Sequence, residues 1–272
     1  MVSVKDAYKE AIDTLKQAGI ESYAVDARVM LEHLLNIDSG KLPLYYDKTL
    51  TENKKKEYES CVKKRAAHIP IAYITNKKEF YSLDFYVEPG VLIPRGDTEI
   101  LVAEALKLKK KKIADLCCGS GCIGLTLAKL LDDSEVTLFD ISDKAIEVTE
   151  MNIKNLGIKN ARVCKMDILK EELHEKYDLI VSNPPYIPAS DIEALERTVK
   201  DYEPKEALTD GSDGLMFYKR LHRLTKYLEK GGVLLAEIGI NQLADVQNIF
   251  GNIEYTCDLA GIPRVIKKEI QK

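Results

Sequence analysis

The chain has 272 residues, of which 31% are charged and 45% hydrophobic, and its formal net charge is −4. That length suffices for a full α/β core with a small second domain attached, while the acidic balance argues against a free-standing nucleic-acid binder, which is normally basic. No apolar run reaches membrane-spanning length and the N-terminus Met1-Val2-Ser3-Val4-Lys5-Asp6 has no signal-type apolar core, so the sequence predicts a cytoplasmic protein without membrane contact.

In chain order, Val4, Ala7, Tyr8, Ala11, Ile12 and Leu15 recur at helical spacing, followed by Ala27, Met30, Leu31, Leu34 and Leu35, and then by Tyr58, Cys61 and Val62. Gly19, Pro43 and Asp47-Lys48-Thr49 punctuate them, which predicts a small helical bundle over residues 1–70. From Ile71 to Val87, two aromatic and β-branched stretches flank Thr75-Asn76-Lys77-Lys78 and a second polar break, which predicts a β-hairpin linker over 71–88. The run Lys109 to Lys112 reads as a solvated helix C-terminus. From residue 89 to the end, strands and helices alternate, as in an open α/β sheet.

Ile113-Ala114-Asp115-Leu116 reads as the first strand of that sheet, and the small-residue turn Cys117-Cys118-Gly119-Ser120-Gly121 leads from it into a helix. Gly119 and Gly121 permit a tight turn and close approach of backbone to a ligand. Glu135–Phe139 reads as a second strand ending in Asp140, placed to accept hydrogen bonds from a ribose. Ala161–Met166 is a third, ending in Asp167, whose carboxylate could take an adenine amino group. Successive strands ending in ligand-type residues mark the crevice at the switch point of an open sheet. Gly119-x-Gly121-x-x-Gly124 also fits the dinucleotide fingerprint, so a nicotinamide oxidoreductase is weighed. Against it, Asp115 would repel a pyrophosphate and nothing downstream offers an acid-base group for hydride transfer. An acidic rim suits a cationic ligand without phosphates, and S-adenosylmethionine meets that description.

The apolar strand Asp178–Ser182 then ends in Asn183-Pro184-Pro185-Tyr186. The prolines fix φ and remove two backbone donors, leaving the carbonyls of Asn183 and Pro184 as free, directed acceptors. The Asn183 side-chain oxygen can accept one N–H of an incoming NH2 group and the Pro184 carbonyl the other, while Tyr186 offers a flat face to the planar group. A bare Pro-Pro turn leaving a buried strand is the bland alternative; the flanking Asn and Tyr argue against it. Val233–Ala236 reads as a fifth strand, with Ile253–Tyr255 and Arg264–Ile266 as a closing antiparallel pair. The six cysteines lack paired metal-site spacing and the four histidines, His33, His68, His174 and His222, form no motif, so no metal site is expected.

With these residues in view, the chain resembles the class I methyltransferases that carry an Asn-Pro-Pro-Tyr motif. More closely, it resembles the protein-(glutamine-N5) methyltransferases that modify class-I peptide release factors, the HemK/PrmC family. The similarity extends over Arg65 to Tyr86, Leu92-Ile93-Pro94-Arg95-Gly96-Asp97-Thr98-Glu99, Tyr202-Glu203-Pro204, Ala207-Leu208, Gly211–Leu215 and Glu237-Ile238-Gly239. Cys117 and Cys118 stand where Gly-Thr is common in the family, Gly96 where Pro is frequent and Tyr81 where Trp is frequent. The resemblance implies a class I, Rossmann-like fold with a seven-stranded mixed sheet over 89–272, and an N-terminal domain that grips the release factor. It implies S-adenosylmethionine as cofactor and the glutamine of the release-factor Gly-Gly-Gln loop as substrate, with no direct nucleic-acid partner and a monomeric enzyme. The cofactor residues are then expected to be Asp115, Cys117, Cys118, Gly119, Ser120, Gly121, Asp140, Asp167 and Ile168, with Asn183; catalysis falls to Asn183, Pro184 and Tyr186, and substrate binding to these and Pro185. Two other classes stay open. In a nucleic-acid methyltransferase the same clamp would hold the exocyclic amino group of a nucleobase. In a non-catalytic adenosylmethionine-binding module no usable clamp would be needed, and the intact Asn183–Tyr186 run argues against it.

Overall fold

The structure is a computed structural model and describes residues 2–271. The chain forms two compact units, one holding the residues up to Asn76 together with Glu196–Tyr202, the other Lys77–Leu195 with the residues from Glu203 on. No helix among the described residues is long and apolar enough to cross a membrane.

The first unit contains α1 (Val4–Gln17), α2 (Tyr23–Leu35), α3 (Glu52–Ala66) and α4 (Ile71–Thr75). The Ser3 and Thr51 side chains cap α1 and α3 by accepting from the backbone N–H three residues on. The helically spaced apolar positions converge, with Val4, Ala7, Ala11, Leu15, Ala27, Met30, Leu31, Tyr58 and Val62 buried in one cluster. Inside it, Arg65 Nε donates to Asp26 at 2.6 Å and Arg65 Nη1 to the Ile69 carbonyl, pairing an otherwise costly buried charge. The hairpin reading of residues 71–88 is corrected in its first half. Ile71–Thr75 is helical, because Pro70 presets the entry to the first turn and Asn76, at φ +51°, ends it in the left-handed region. The hairpin consists of β1 (Lys78–Phe80) and β2 (Leu83–Phe85), turning at Tyr81 and Ser82, which both have positive φ.

The second unit continues with α5 (Glu99–Leu108), β3 (Lys112–Leu116), α6 (Cys122–Leu130), β4 (Glu135–Asp140), α7 (Asp143–Leu156), β5 (Ala161–Lys165) and β6 (Tyr177–Ser182). The short α8 (Arg197–Lys200) lies in the stretch that belongs to the first unit; α9 (Met216–Leu224), β7 (Leu228–Glu237), α10 (Leu243–Phe250), β8 (Glu254–Cys257) and β9 (Pro263–Glu269) complete the second. Its seven strands run in the order β5-β4-β3-β6-β7-β9-β8, the first five parallel and β9 antiparallel to both of its neighbours. The period of two splits the apolar residues between two cores. Ile113, Leu179, Val181, Val233 and Leu235 join α5 and α6 on one face, and Ala114, Leu116, Ile180, Leu234 and Ala236 join α9 and α10 on the other. A sheet buried on both faces explains why its central strands read as unbroken apolar runs. The Lys109–Lys112 run is only partly solvated: Lys110 Nζ donates to the Gly231 carbonyl and Lys112 opens β3 with an ion pair to Glu175 at 2.7 Å.

The order reverses at β3, with β4 on one side and β6 on the other, so the loops leaving these strands diverge and open a crevice at their C-terminal ends.

Candidate active site

That crevice is a cavity of about 290 Å³, built within the second unit from the ends of β3 to β6, an arm at Gly90–Thr98 and the loop at Pro204–Asp210. Four carboxylates, Asp140, Asp167, Glu206 and Asp210, line it against one cation, Arg95. Arg95 itself pairs with the buried Glu203, whose second oxygen accepts the Ile93 N–H at 3.1 Å, which fixes the arm. The lining is otherwise mostly apolar, with Leu92, Ile141, Met166, Ile168, Leu169 and Phe217 among it.

The turn after β3 is held from behind by side chains. Cys117, Gly119 and Gly121 all have positive φ, of 61°, 56° and 79°. Thr149 Oγ1 donates to the Gly119 carbonyl at 3.0 Å and Asn152 Nδ2 to the Ser120 carbonyl at 2.9 Å. Asp140 accepts the N–H of Gly119 at 2.8 Å and of Ser142 at 3.0 Å, so the carboxylate is aimed across the cavity with lone pairs to spare. Burial raises its pKa, and these backbone N–H bonds oppose the rise. Asp167, hydrogen-bonded by Lys170 and by the Leu169 N–H, is held below the ordinary carboxylate range. Burial pushes the thiols of Cys117 and Cys118 well up and that of Cys122 to about 12, so all three are neutral wall material and not nucleophiles.

On the other side, Asn183 Nδ2 donates to Thr98 Oγ1 at 3.1 Å. This turns the side-chain oxygen of Asn183 away from Thr98 and leaves it available as an acceptor. Among the described residues, no hydrogen bond ends on the Pro184 carbonyl. The Tyr186 hydroxyl donates to Glu237 at 3.0 Å, and Gln242 Nε2 donates to the Tyr186 carbonyl at 2.8 Å. Gly214 packs under that carbonyl so closely that a Cβ there would lie 2.2 Å from the oxygen.

Of the residues expected from the sequence, Cys117, Cys118, Gly119, Ser120, Asp140, Asp167, Ile168, Asn183 and Pro185 line one cavity. Asp115, Gly121, Pro184 and Tyr186 do not line it. Asp115 is one residue short of the strand end and therefore points at α6, where it is 0% exposed, accepts the Gly124 N–H at 2.8 Å and keeps Oδ1 unpartnered. Desolvation lifts its pKa to about 7. Gly121 faces Leu125 and Thr149, where a Cβ would come within 2.9 and 3.0 Å, so its role is in packing the turn. Pro184 is buried, and Tyr186 points its hydroxyl at Glu237 behind the wall. Sequence reasoning missed the arm at Gly90–Arg95, Ile141, Glu206, Asp210 and Phe217 as wall residues; the signal for part of the arm lay in Leu92–Glu99, which carried the resemblance without an assigned role.

The donor set fits S-adenosylmethionine. Carboxylates with free lone pairs can take a diol, an ammonium and an exocyclic amine, apolar faces at Ile141, Ile168 and Leu169 suit a base, and the excess of negative charge favours a sulfonium over a phosphate.

Known proteins resemble this chain over most of its length. A family model described as PrmC N-terminal domain matches residues 6–75, and one described as methyltransferase small domain matches residues 95–230. A release factor glutamine methyltransferase of Clostridium acetobutylicum is 41% identical, over 97% of this chain and 98% of its own length. One from Geobacter sulfurreducens is 39% identical, over 93% and 91%. Among solved structures, a methyltransferase from Pyrococcus furiosus superposes with a TM-score of 0.53 at 15% identity, covering 82% of this chain and 100% of its own, which supports the fold.

Proposed function

This chain belongs to the release factor glutamine methyltransferase family, and on that footing we propose how its cavity transfers a methyl group from S-adenosylmethionine to the side-chain amide nitrogen of the glutamine in the release-factor Gly-Gly-Gln motif. The observation that carries the mechanism is the Asn183 amide, held by Thr98 so that its oxygen is left to accept, beside a Pro184 carbonyl without a partner.

S-adenosylmethionine, when bound, supplies an electrophilic methyl group on a sulfonium that leaves as a neutral thioether. Asp140 would hold the ribose hydroxyls and Asp167 the adenine amine, with Ile141 and Ile168 offering apolar faces, and the backbone of Cys117–Ser120 would hold the methionine end. A primary amide is a poor nucleophile because its lone pair is delocalised. Asn183 Oδ1 and the Pro184 carbonyl each accept one N–H of the glutamine NH2, which fixes the nitrogen and aims it at the methyl carbon. Transfer to this nitrogen would form the N–C bond at the expense of the S–C bond. The nitrogen becomes acidic once methylated, so its extra proton passes to water and no strong base is needed, consistent with the neutral thiols around the cavity. Tyr186 acts from behind, locking the strand end through Glu237 and Gln242. The helical unit, on this reading, recognises the release-factor body.

The test is mass spectrometry of purified release factor incubated with the enzyme and methyl-labelled cofactor. One methyl group on the Gly-Gly-Gln glutamine is expected, with Asn183→Ala reducing turnover by about 10²–10³ and leaving cofactor affinity nearly unchanged. Undiminished turnover in Asn183→Ala, or label on a nucleobase and none on release factor, would refute it.

A further inference from the structure

Pro184 and Pro185 leave the sheet without a ladder where the clamp begins. Pairing between β6 and β7 ends at Ser182 and Ala236, and the two prolines that follow Asn183 carry no N–H to extend it. A side chain takes over at that point. Gln242, 8% exposed, accepts the Gly239 backbone N–H on Oε1 at 2.9 Å and donates from Nε2 to the Tyr186 carbonyl at 2.8 Å. An amide side chain offers the same donor and acceptor as a peptide unit, so Gln242 is a substitute rung between the chain leaving β7 and the chain leaving β6. Its sense is fixed, because a backbone N–H can only donate and a carbonyl can only accept.

The surroundings are shaped to this amide. Gln242 N donates to the Gly239 carbonyl at 3.3 Å across a turn in which Asn241 has a φ of +67°, and this sets Gln242 directly before α10. A Cβ on Gly239 would lie 2.7 Å from Gln242 Oε1 and one on Gly214 3.0 Å from Gln242 Nε2, so glycine at both positions makes the room. Tyr218 from α9 brings its hydroxyl to 3.3 Å from Oε1. Resting on the amide-clamp reading, we propose that Gln242 is a positioning residue for methyl transfer, which holds the Tyr186 peptide and so fixes the direction of the Asn183 and Pro184 acceptors just before it. Gln242 does not line the cavity, so its loss should fall on turnover and spare cofactor binding.

The two bonds of the rung make one substitution especially informative. In Gln242→Glu the side chain keeps its shape, yet an ionised carboxylate can only accept and would set a lone pair against the Tyr186 carbonyl. Once protonated, the same acid can accept from Gly239 and donate to Tyr186, which restores both bonds. Burial holds such a carboxyl above the ordinary glutamate range. The titratable and charged groups around it are Tyr218 on α9, Tyr186 after β6 and Glu237 at the end of β7, with Arg264 of β9 and Arg95 of the arm acting on Tyr186. Burial also raises the pKa of Glu237, so the turnover of each variant is divided by that of wild type at the same pH.

The experiment is turnover at saturating cofactor and release factor, at about pH 8.5 and about pH 6, in full-length wild type, Gln242→Glu, Gln242→Met and Asn183→Ala, with melting temperature and the Kd for S-adenosylhomocysteine measured on the same preparations. Gln242→Glu is expected to lose about 10–100-fold in kcat at the higher pH, the scale of a misaimed reacting group, and to regain most of that loss at the lower. Gln242→Met fills the space without either bond and should stay low at both. The KM for release factor and the cofactor Kd should remain within about threefold of wild type in both variants, as expected when only the reacting geometry is lost. Should Gln242→Met fail to fold, the two pH values within Gln242→Glu decide alone. A Gln242→Glu deficit that is the same at both pH values, wild-type kcat in either Gln242 variant at the higher pH, a Gln242→Glu enzyme unfolded at the lower pH, or a cofactor Kd that weakens as much as kcat falls would each overturn the rung. An impaired Asn183→Ala beside any of these would leave the clamp standing, whereas wild-type turnover in Asn183→Ala would remove the clamp and the rung with it.

Discussion

The two walls of the cavity are built on opposite principles. On the cofactor side, side chains hold backbone: Asp140 collects the N–H groups of Gly119 and Ser142, while Thr149 and Asn152 donate to the carbonyls of Gly119 and Ser120. On the clamp side, side chains hold side chains, Asn183 on Thr98 and Tyr186 on Glu237. Backbone N–H groups have fixed sense, so each contact on the cofactor wall can be lost singly and the rest still point the right way. Hydroxyls and amides can turn, so the clamp depends on direction and should fail as a whole. The cofactor wall is thus expected to lose affinity by increments, and the clamp to lose turnover at a step.

The largest effect should come from Gly214, which touches the clamp through backbone alone. Gly214→Ala would place a Cβ 2.2 Å from the Tyr186 carbonyl at a φ of +77°, so the strand end or the loop must shift. Loss of about 10² or more in turnover is expected, on the scale of a displaced reacting group, with cofactor affinity changed less than threefold. Activity and cofactor titration on the same preparation check this; equal losses in both would dissolve the distinction between the walls.

Next comes Asp140→Ala, which removes the acceptor for two backbone N–H groups and, on the reading proposed above, for the ribose. Cofactor binding should weaken by about 1.5–3 kcal/mol, the range for losing hydrogen bonds to a charged group, while turnover at saturating cofactor stays within a few fold. Calorimetry with S-adenosylhomocysteine measures the first and saturated kinetics the second. An unchanged cofactor Kd would remove Asp140 from the ribose role.

Much of this difference was legible in the sequence, and the reason is positional. Asp140, Asp167 and Asn183 sit where parallel strands end, and strand ends at a switch point can be counted from the alternation of elements. Asp115 shows the limit of that counting. One residue before the end of β3, the period of two turns it from the crevice onto Gly124, a distinction finer than strand boundaries can be read. Ile71–Thr75 misleads for another reason: its β-branched and aromatic residues read as strand, and only packing with α2 and α3 and the left-handed Asn76 make it a helix. The hairpin turn at Tyr81-Ser82 carries none of the Gly or Asn that usually announces positive φ. Tyr186 and Glu237 were visible as motif fragments, but the hydrogen bond between them exists only once β6 and β7 lie side by side.

Asp115 also gives a test that bears on the cofactor wall without touching it. The folded pKa of about 7 lies above the ordinary 3.8, so the folded state binds this proton more tightly than the unfolded chain. The stability it contributes is fully present below about pH 4 and is lost as pH rises through 7. Between pH 5.5 and 8 the cofactor-free wild type should lose about 2 kcal/mol on this account, and Asp115→Asn, which carries no charge, should lack that part of the slope. Urea unfolding at the two pH values decides it, and identical slopes in the two proteins would show that Asp115 titrates in the ordinary range.

The smallest expected effect is at Cys117, and it probes whether the cofactor wall truly relies on backbone and not on its side chains. Cys117 has a φ of +61°, a conformation that costs an L-residue about 1–2 kcal/mol and glycine nothing. Its thiol is neutral and half-buried, so the side chain returns only modest packing. Cys117→Gly should therefore raise unfolding stability by about 0.5–1 kcal/mol, the strain relieved less the entropy of a freer unfolded chain and the lost contacts. Cofactor affinity should stay within threefold, since the groups that the turn offers are its own N–H and C=O. Cys117→Val is the opposing arm: a β-branched residue tolerates positive φ worst, and a loss of roughly 2 kcal/mol is expected. Denaturant midpoints of the three proteins rank them, and the order Gly, Cys, Val from most to least stable is what a backbone-built wall requires. The reverse order, or a cofactor Kd that follows the size of the side chain at 117, would mean that the thiol is part of the binding surface and that the two walls are more alike than their hydrogen bonds suggest.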